Sequence, residues 1–216
     1  EQYDYDAVHN RTSSGHQPGT WSYNGDNQLT QYPYLRPFTP GTQPIDTQVS
    51  YTPQGHTQKE TSAQWEKSYQ YNAAERLIKY QSTNQGQSSP ALEASYRYDP
   101  FGRRIAKSVK EGGTTKTIYF VYSEQGLMGE ADEAGKLTRA YGFNPVAAQQ
   151  GLWSTDPIWQ AQVSNGSLTD TNTRYHHLHT DHLGTPQLAT TKEGSTSWKA
   201  ASEAFGAAGI LQSDSA

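Results

Sequence analysis

The sequence contains no cysteine, which excludes disulfides and thiol chemistry. It is also poor in the residues that usually build a core. Leu, Ile, Val and Phe together make up about 13% of the chain, below the roughly 20% that, together with high net charge, marks disorder. The second half of that signature is absent, because the formal net charge is only −4. There is no Lys/Arg run, and a pI near 6.0 gives no electrostatic footprint for nucleic acid. No apolar stretch is long enough to cross a membrane, and no signal peptide is visible. The sequence opens at Glu1 inside a repeat, so it reads as a slice of a longer protein.

Rings and glycines take the place of aliphatics, with 15 Tyr, 5 Trp and 19 Gly. Each aromatic ring can bury roughly 150–250 Å², and a Tyr/Gly-rich chain suits strands joined by tight turns. Six windows begin with Tyr and lead into a turn: Tyr5–His9, Tyr23–Asn27, Tyr51–Gly55, Tyr71–Glu75, Tyr98–Gly102 and Tyr122–Gly126. Two residues before each Tyr stands Tyr3, Trp21, Val49, Tyr69, Tyr96 or Phe120. That spacing puts both large side chains on one face of a strand. The reverse face, with residues such as Arg97 and Asp99, is expected to be more polar.

The turn has its own chemistry. In Asp99-Pro100-Phe101-Gly102 the carboxylate can accept from the backbone two residues on, Pro presets φ, and Gly takes φ > 0. A type I turn closed by a left-handed residue is a common three-residue hairpin loop. Gly55, Gly102 and Gly126 supply that residue and Asn27 is the next best choice, whereas His9 and Glu75 predict looser turns. Asp132–Gly135, Asp181–Gly184, Thr191–Gly194 and Glu203–Gly206 keep the turn without the Tyr.

The expectation is therefore an all-β antiparallel chain of hairpins, forming part of a curved or spiral sheet, as one segment over 1–216. Irregular loops are expected at 31–50, where prolines cluster, and at the polar stretch 81–90.

At this point the residues resemble a known family. Tyr3–Arg11, Tyr69–Leu77 and Tyr96–Arg104 look like YD repeats. Tyr175-His176-His177-Leu178-His179-Thr180-Asp181-His182-Leu183-Gly184 is similar to the signature near the end of the bacterial RHS core. Trp198 and Glu203–Gly206 also stand where that family has similar residues. The resemblance covers nearly the whole chain and is weakest over 32–50. It implies a sheet wound into a hollow shell around a variable C-terminal toxin used in bacterial competition. Such a polymorphic toxin is often delivered by type VI secretion, and animal teneurins share the repeat. The parent would be secreted or envelope-associated, and the partners implied are the rest of the shell and the enclosed toxin. The family's self-cleavage motif, Asp-Pro-x-Gly-Leu, is matched only in its first two residues by Asp99-Pro100 and Asp156-Pro157, so no cleavage role carries over.

Other chemistry weighs less. His176, His177, His179, Asp181 and His182 form the densest constellation, and His177 and His179 share a strand face within reach of one metal. Zinc sites usually take three or four ligands with a second shell, and Asp181 already has a turn to serve. The alternative, a polar inner surface or rings stacked among aromatics, is favoured. No Gly-x-Ser-x-Gly elbow is present, and Glu111-Gly112-Gly113 lacks a following Lys-Ser/Thr and reads as a hairpin tip. The chain is expected not to be an enzyme and to hold no cofactor or metal. The competing reading is a surface module that binds carbohydrate through exposed Tyr and Trp. Exposed sheet edges would allow self-association.

Overall fold

The computed structural model describes residues 2–35, 41–124, 126–144, 146, 157–202 and 208–213. The chain divides into two compact units: Glu1–Arg97 with Ser108–Thr115, and Tyr98–Lys107 with Lys116–Ala216. The sequence had pointed to a single segment. The division runs through regular repeats, so no linker composition marks it.

In the first unit β1 (Tyr3–Tyr5) and β2 (Arg11–Ser14) make a separate hairpin. A meander follows through β3 (Ser22–Tyr23), β4 (Leu29–Tyr34), β5 (Ile45–Tyr51), β6 (Thr57–Ser62), β7 (Trp65–Tyr71), β8 (Leu77–Asn84) and β9 (Leu92–Tyr98). Each strand pairs antiparallel with the next. β10 (Arg104–Glu111) and β11 (Thr114–Ser123) are shared out between the units, and Gly112 and Gly113 turn between them at φ 55° and 82°. That is the pair of positive φ values a two-residue type I′ hairpin needs.

The second unit continues through β12 (Gly126–Ala131), β13 (Leu137–Phe143), β14 (Pro157–Gln162), β15 (Arg174–Thr180), β16 (Pro186–Thr191), β17 (Thr196–Ser202) and β18 (Ala208–Ser213). These too pair antiparallel in sequence order. The architecture is all-β and antiparallel.

Among the described residues the buried apolar side chains are Trp21, Pro33 and six alanines. Large side chains stay half-covered by their cross-strand neighbours, the pattern of sheet faces that lack a thick packed layer. In the first unit the register places Tyr32, Thr47, Val49, Glu60, Lys67, Tyr69 and Tyr80 on one face. The reverse face carries Lys59, Glu66, Ser68, Lys79, Gln81 and Glu93, tied by Lys59–Glu66 at 2.7 Å and Lys79–Glu93 at 3.0 Å. The second unit departs from the expected polar reverse face. There Tyr119, Val121, Trp159 and Tyr175 lie opposite the face of Phe120 and Tyr141.

Both expected loops are narrower than 31–50 and 81–90. β4 runs to Tyr34, β5 starts at Ile45, and β8 continues to Asn84. Residues 36–40 lie outside the described residues. Pro33 sits inside β4 because β3 has already ended, its last pair being Ser22–Gln31. On that side β4 is an edge, where a missing N–H breaks no ladder.

The turns at His9 and Glu75 are not looser. Both residues adopt the left-handed conformation, at φ 66° and 61°, and they close the same hydrogen-bonded loop as the glycines. Gly126 is a correction of the other kind. It opens β12 opposite Ser123 at φ 135°, so its connection is a different turn. The Glu203–Gly206 window lies outside the described residues.

Candidate functional site

Among the described residues eight loops share one hydrogen-bond pattern. The first residue is Asp6, Asn24, Thr52, Asn72, Asp99, Asp132, Asp181 or Thr191. Its N–H donates to the carbonyl four residues on, and its carbonyl accepts from the residue three on. That third residue has φ > 0 in every case: His9, Asn27, Gly55, Glu75, Gly102, Gly135, Gly184 and Gly194. In seven of the eight the side chain of the first residue completes the loop; the Thr191 hydroxyl does not bond its loop backbone. Asp6 Oδ1 accepts from the Val8 and Asn10 N–H groups, Asn72 Oδ1 from Ala74 and Arg76, and Asp181 Oδ1 from Leu183 and Thr185. Asp99 Oδ1 accepts from the Arg103 N–H, and its other oxygen meets the Arg103 guanidinium. Asp, Asn and Thr serve alike because each offers an oxygen at this reach.

The repeat tyrosines link one loop to the next. The hydroxyls of Tyr23, Tyr51, Tyr71 and Tyr122 donate to the carbonyls of Arg11, Leu29, Thr57 and Arg104, at 2.7–2.9 Å. Each acceptor is the first residue of the strand that leaves the preceding loop. Burial pushes all four phenols up. Tyr5, in the first hairpin, is half exposed, and its hydroxyl has no partner among the described residues. Tyr98 closes β9 immediately before the Asp99 loop. These backbone acceptors were invisible in the sequence. A regular tyrosine at the end of a strand was the only signal.

Two carboxylates are held inside the aromatic faces. Glu60 meets Lys67 at 3.3 Å, and the Tyr32 hydroxyl donates to the same oxygen at 3.3 Å. The Lys67 ammonium lies 3.9 Å from the Trp65 ring centre and 4.9 Å from that of Tyr34. In the second unit the Tyr141 hydroxyl donates to Glu130 at 2.6 Å, with the Arg139 guanidinium 3.6 Å from the other oxygen. Desolvation first, then the neighbouring carboxylate, pushes the phenols of Tyr32, Tyr69 and Tyr141 far up. Each carboxylate is thus held between a phenol and a cation.

The histidine-rich signature is split between two faces of β15. His176 points toward Ser197, with Nδ1 2.8 Å from the hydroxyl, while His177 and His179 lie on the other face. The Ser197 hydroxyl also lies 3.2 Å from the Ala189 carbonyl, and the His176 tautomer decides which of the two takes its one hydrogen. His179 meets the Thr190 hydroxyl at 3.1 Å, and His182 is exposed at the tip of the Asp181 loop. Among the described residues no three His, Asp or Glu side chains gather as a metal site. Tyr175 packs beside Trp159, ring centres 5.7 Å apart, and donates to the Leu168 carbonyl. Gly184 is the left-handed residue of its loop.

The His176 face also floors a groove of about 990 Å³. Arg139, Gln162 and Arg174 form one cross-strand row over β13–β15, and Gln160 pairs with His176 in the next. Trp198 and Lys192 border it.

Residues 176–211 match the family described as RHS protein. Toxin protein Tse5 of Pseudomonas aeruginosa is 29% identical over 144 residues, 60% of this chain and 11% of that protein. Double-stranded DNA deaminase toxin A of Burkholderia cenocepacia is 28% identical over 173 residues, 74% of this chain and 12% of that protein. The chain therefore spans only a small part of the length of these relatives. A solved structure of a mutant Photorhabdus luminescens Tc holotoxin pore superposes with a TM-score of 0.46 at 13% identity, over 98% of this chain and 13% of that one. The RHS match falls on the histidine-rich signature and the strands that follow it, and both toxins are similar to this chain over more than half of its length.

Proposed function

We propose that the chain is a wall segment of an RHS-repeat polymorphic toxin, enclosing and helping to deliver a C-terminal toxin that lies outside this chain. The observation that carries this reading is the division of labour in the repeat. Among the described residues, eight like loops and four bonds from repeat tyrosines to strand-start carbonyls give nearly every segment a strand or loop duty. The polar groups best placed for chemistry are already engaged: Ser197 with Ala189 and His176, Glu60 with Lys67 and Tyr32, Glu130 with Tyr141. The wall itself is not an enzyme, and its activity resides in what it encloses. Its partners are the remainder of the shell and that toxin, and the parent is secreted or envelope-associated. Two relatives that share this stretch are named toxins, which supports the association.

The test uses the longer protein that contains the chain. Limited proteolysis of the intact protein should leave the C-terminal segment protected. Loosening the wall by Tyr51→Ala together with Tyr71→Ala should expose that segment to cleavage. A C-terminal segment digested equally fast in both proteins would refute enclosure. Turnover by the isolated chain, abolished by one side-chain substitution, would refute the non-enzymatic assignment.

A further inference from the structure

We infer that the groove on the His176 face of the second unit binds an extended, acidic peptide segment. The inference goes beyond the wall reading and stands without it, because it concerns a surface the chain carries in isolation. Strand register sets the pattern. Arg139 pairs with Gln162, and Gln162 with Arg174, so two guanidinium groups flank one amide across three strands. At two strand spacings their backbones are about 10 Å apart.

The two cations differ. Arg139 already lies 3.6 Å from Glu130, whereas exposed Arg174 has no ion-pair partner among the described residues. Lys192 adds a third cation at the rim, where it lies 3.6 Å from the single acid of the lining, Glu193. The lining is thus cationic in a chain whose net charge is −4. That complementarity selects a ligand bearing carboxylates, which arginine binds in a two-pronged fashion.

The neutral lining decides the kind of ligand. Gln160 and Gln162 each present both a donor and an acceptor, the complement of a peptide group. A polyphosphate backbone offers acceptors alone. It would leave the Gln carbonyl oxygens unmatched. Trp198, half-buried at the edge, supplies an apolar surface for an intervening side chain.

The test is titration of the chain, by fluorescence anisotropy, with a labelled synthetic peptide alternating Glu and Ser. The same peptide with Gln for Glu, a hyaluronate oligomer and single-stranded DNA serve as comparators. The acidic peptide should bind, and the affinity should fall with salt. Arg174→Gln should weaken it about fivefold, the scale of one exposed ion pair. Gln162→Glu, which puts an acid between the two arginines, should weaken it further. Lys110→Gln, an equal charge change at an exposed position of the first unit, should leave binding unchanged. Circular dichroism of each variant confirms the sheet. Equal binding of the neutral peptide, of hyaluronate or of DNA would overturn the inference. So would an unaltered affinity in Arg174→Gln, or an equal loss in Lys110→Gln.

Discussion

The Trp159 ring lies flat across Gly142, its cross-strand partner in β13–β14. A Cβ on Gly142 would sit 1.9 Å from the indole Nε1 and 2.1 Å from Cε2. The missing side chain is what lets the ring cover the backbone, and Tyr175 then packs beside it. Gly142→Ala should therefore destabilise by about 1–3 kcal/mol, the usual cost of overpacking. The clash needs the ring, so Gly142→Ala should cost much less in a Trp159→Ala background. Urea midpoints of the four proteins test this. Strictly additive effects would show that the two residues do not interact.

The tyrosine hydroxyls should matter where they have an acceptor. Tyr51→Phe removes the 2.7 Å bond to the Leu29 carbonyl and should cost about 0.5–1.5 kcal/mol. Tyr5→Phe, lacking such a bond, should be close to neutral. Equal midpoints for the two variants in urea would contradict the linking role.

Loop residues should follow backbone conformation. Gly102 has φ 84°. Gly102→Val should cost roughly 1–2 kcal/mol, by forcing a β-branched residue into the left-handed region, and Gly102→Asn much less. Asn27 already holds the same position in its own loop at φ 59°. Valine and asparagine variants that unfold together would remove this assignment.

Acid should weaken the loops in a defined direction. The Thr185 and Leu183 N–H groups hold the Asp181 carboxyl below its ordinary value of 3.8. A depressed folded-state value means that stability is fully present above about pH 3.8 and is lost as pH falls through the lower folded value. Asp181→Asn keeps the accepting oxygen, as Asn24 and Asn72 show. It should therefore fold normally while losing part of its stability slope below about pH 4. A slope identical to that of the parent chain, measured by thermal melts across this range, would contradict the assignment.

Much of this was legible in the sequence, and the reasons for the rest are physical. Asp99-Pro100-Phe101-Gly102 announces its loop through side-chain chemistry. Glu75 and His9 conceal theirs, because the loop's hydrogen bonds impose the left-handed conformation on residues that would not choose it. Glu75 also has a local reason to stay: its carboxylate lies 3.6 Å from His56, which stacks on Tyr71 at 4.8 Å. The tyrosine acceptors are backbone carbonyls, which every residue has and no sequence pattern marks. The Gly142–Trp159 contact and the Arg139–Gln162–Arg174 row depend on strand register. The separation of His176 from His177 follows from the two-residue period of a strand, yet Ser197 as the His176 partner depends on where β17 falls.

The central claim is that this chain is wall and that the activity lies in what the wall encloses. Electron cryomicroscopy of the full-length parent protein tests it most directly. The account predicts that strands β3–β18 lie within a closed shell whose interior holds density for the C-terminal segment. A C-terminal domain standing free in solvent, with this chain folded as a separate lobe, would contradict it.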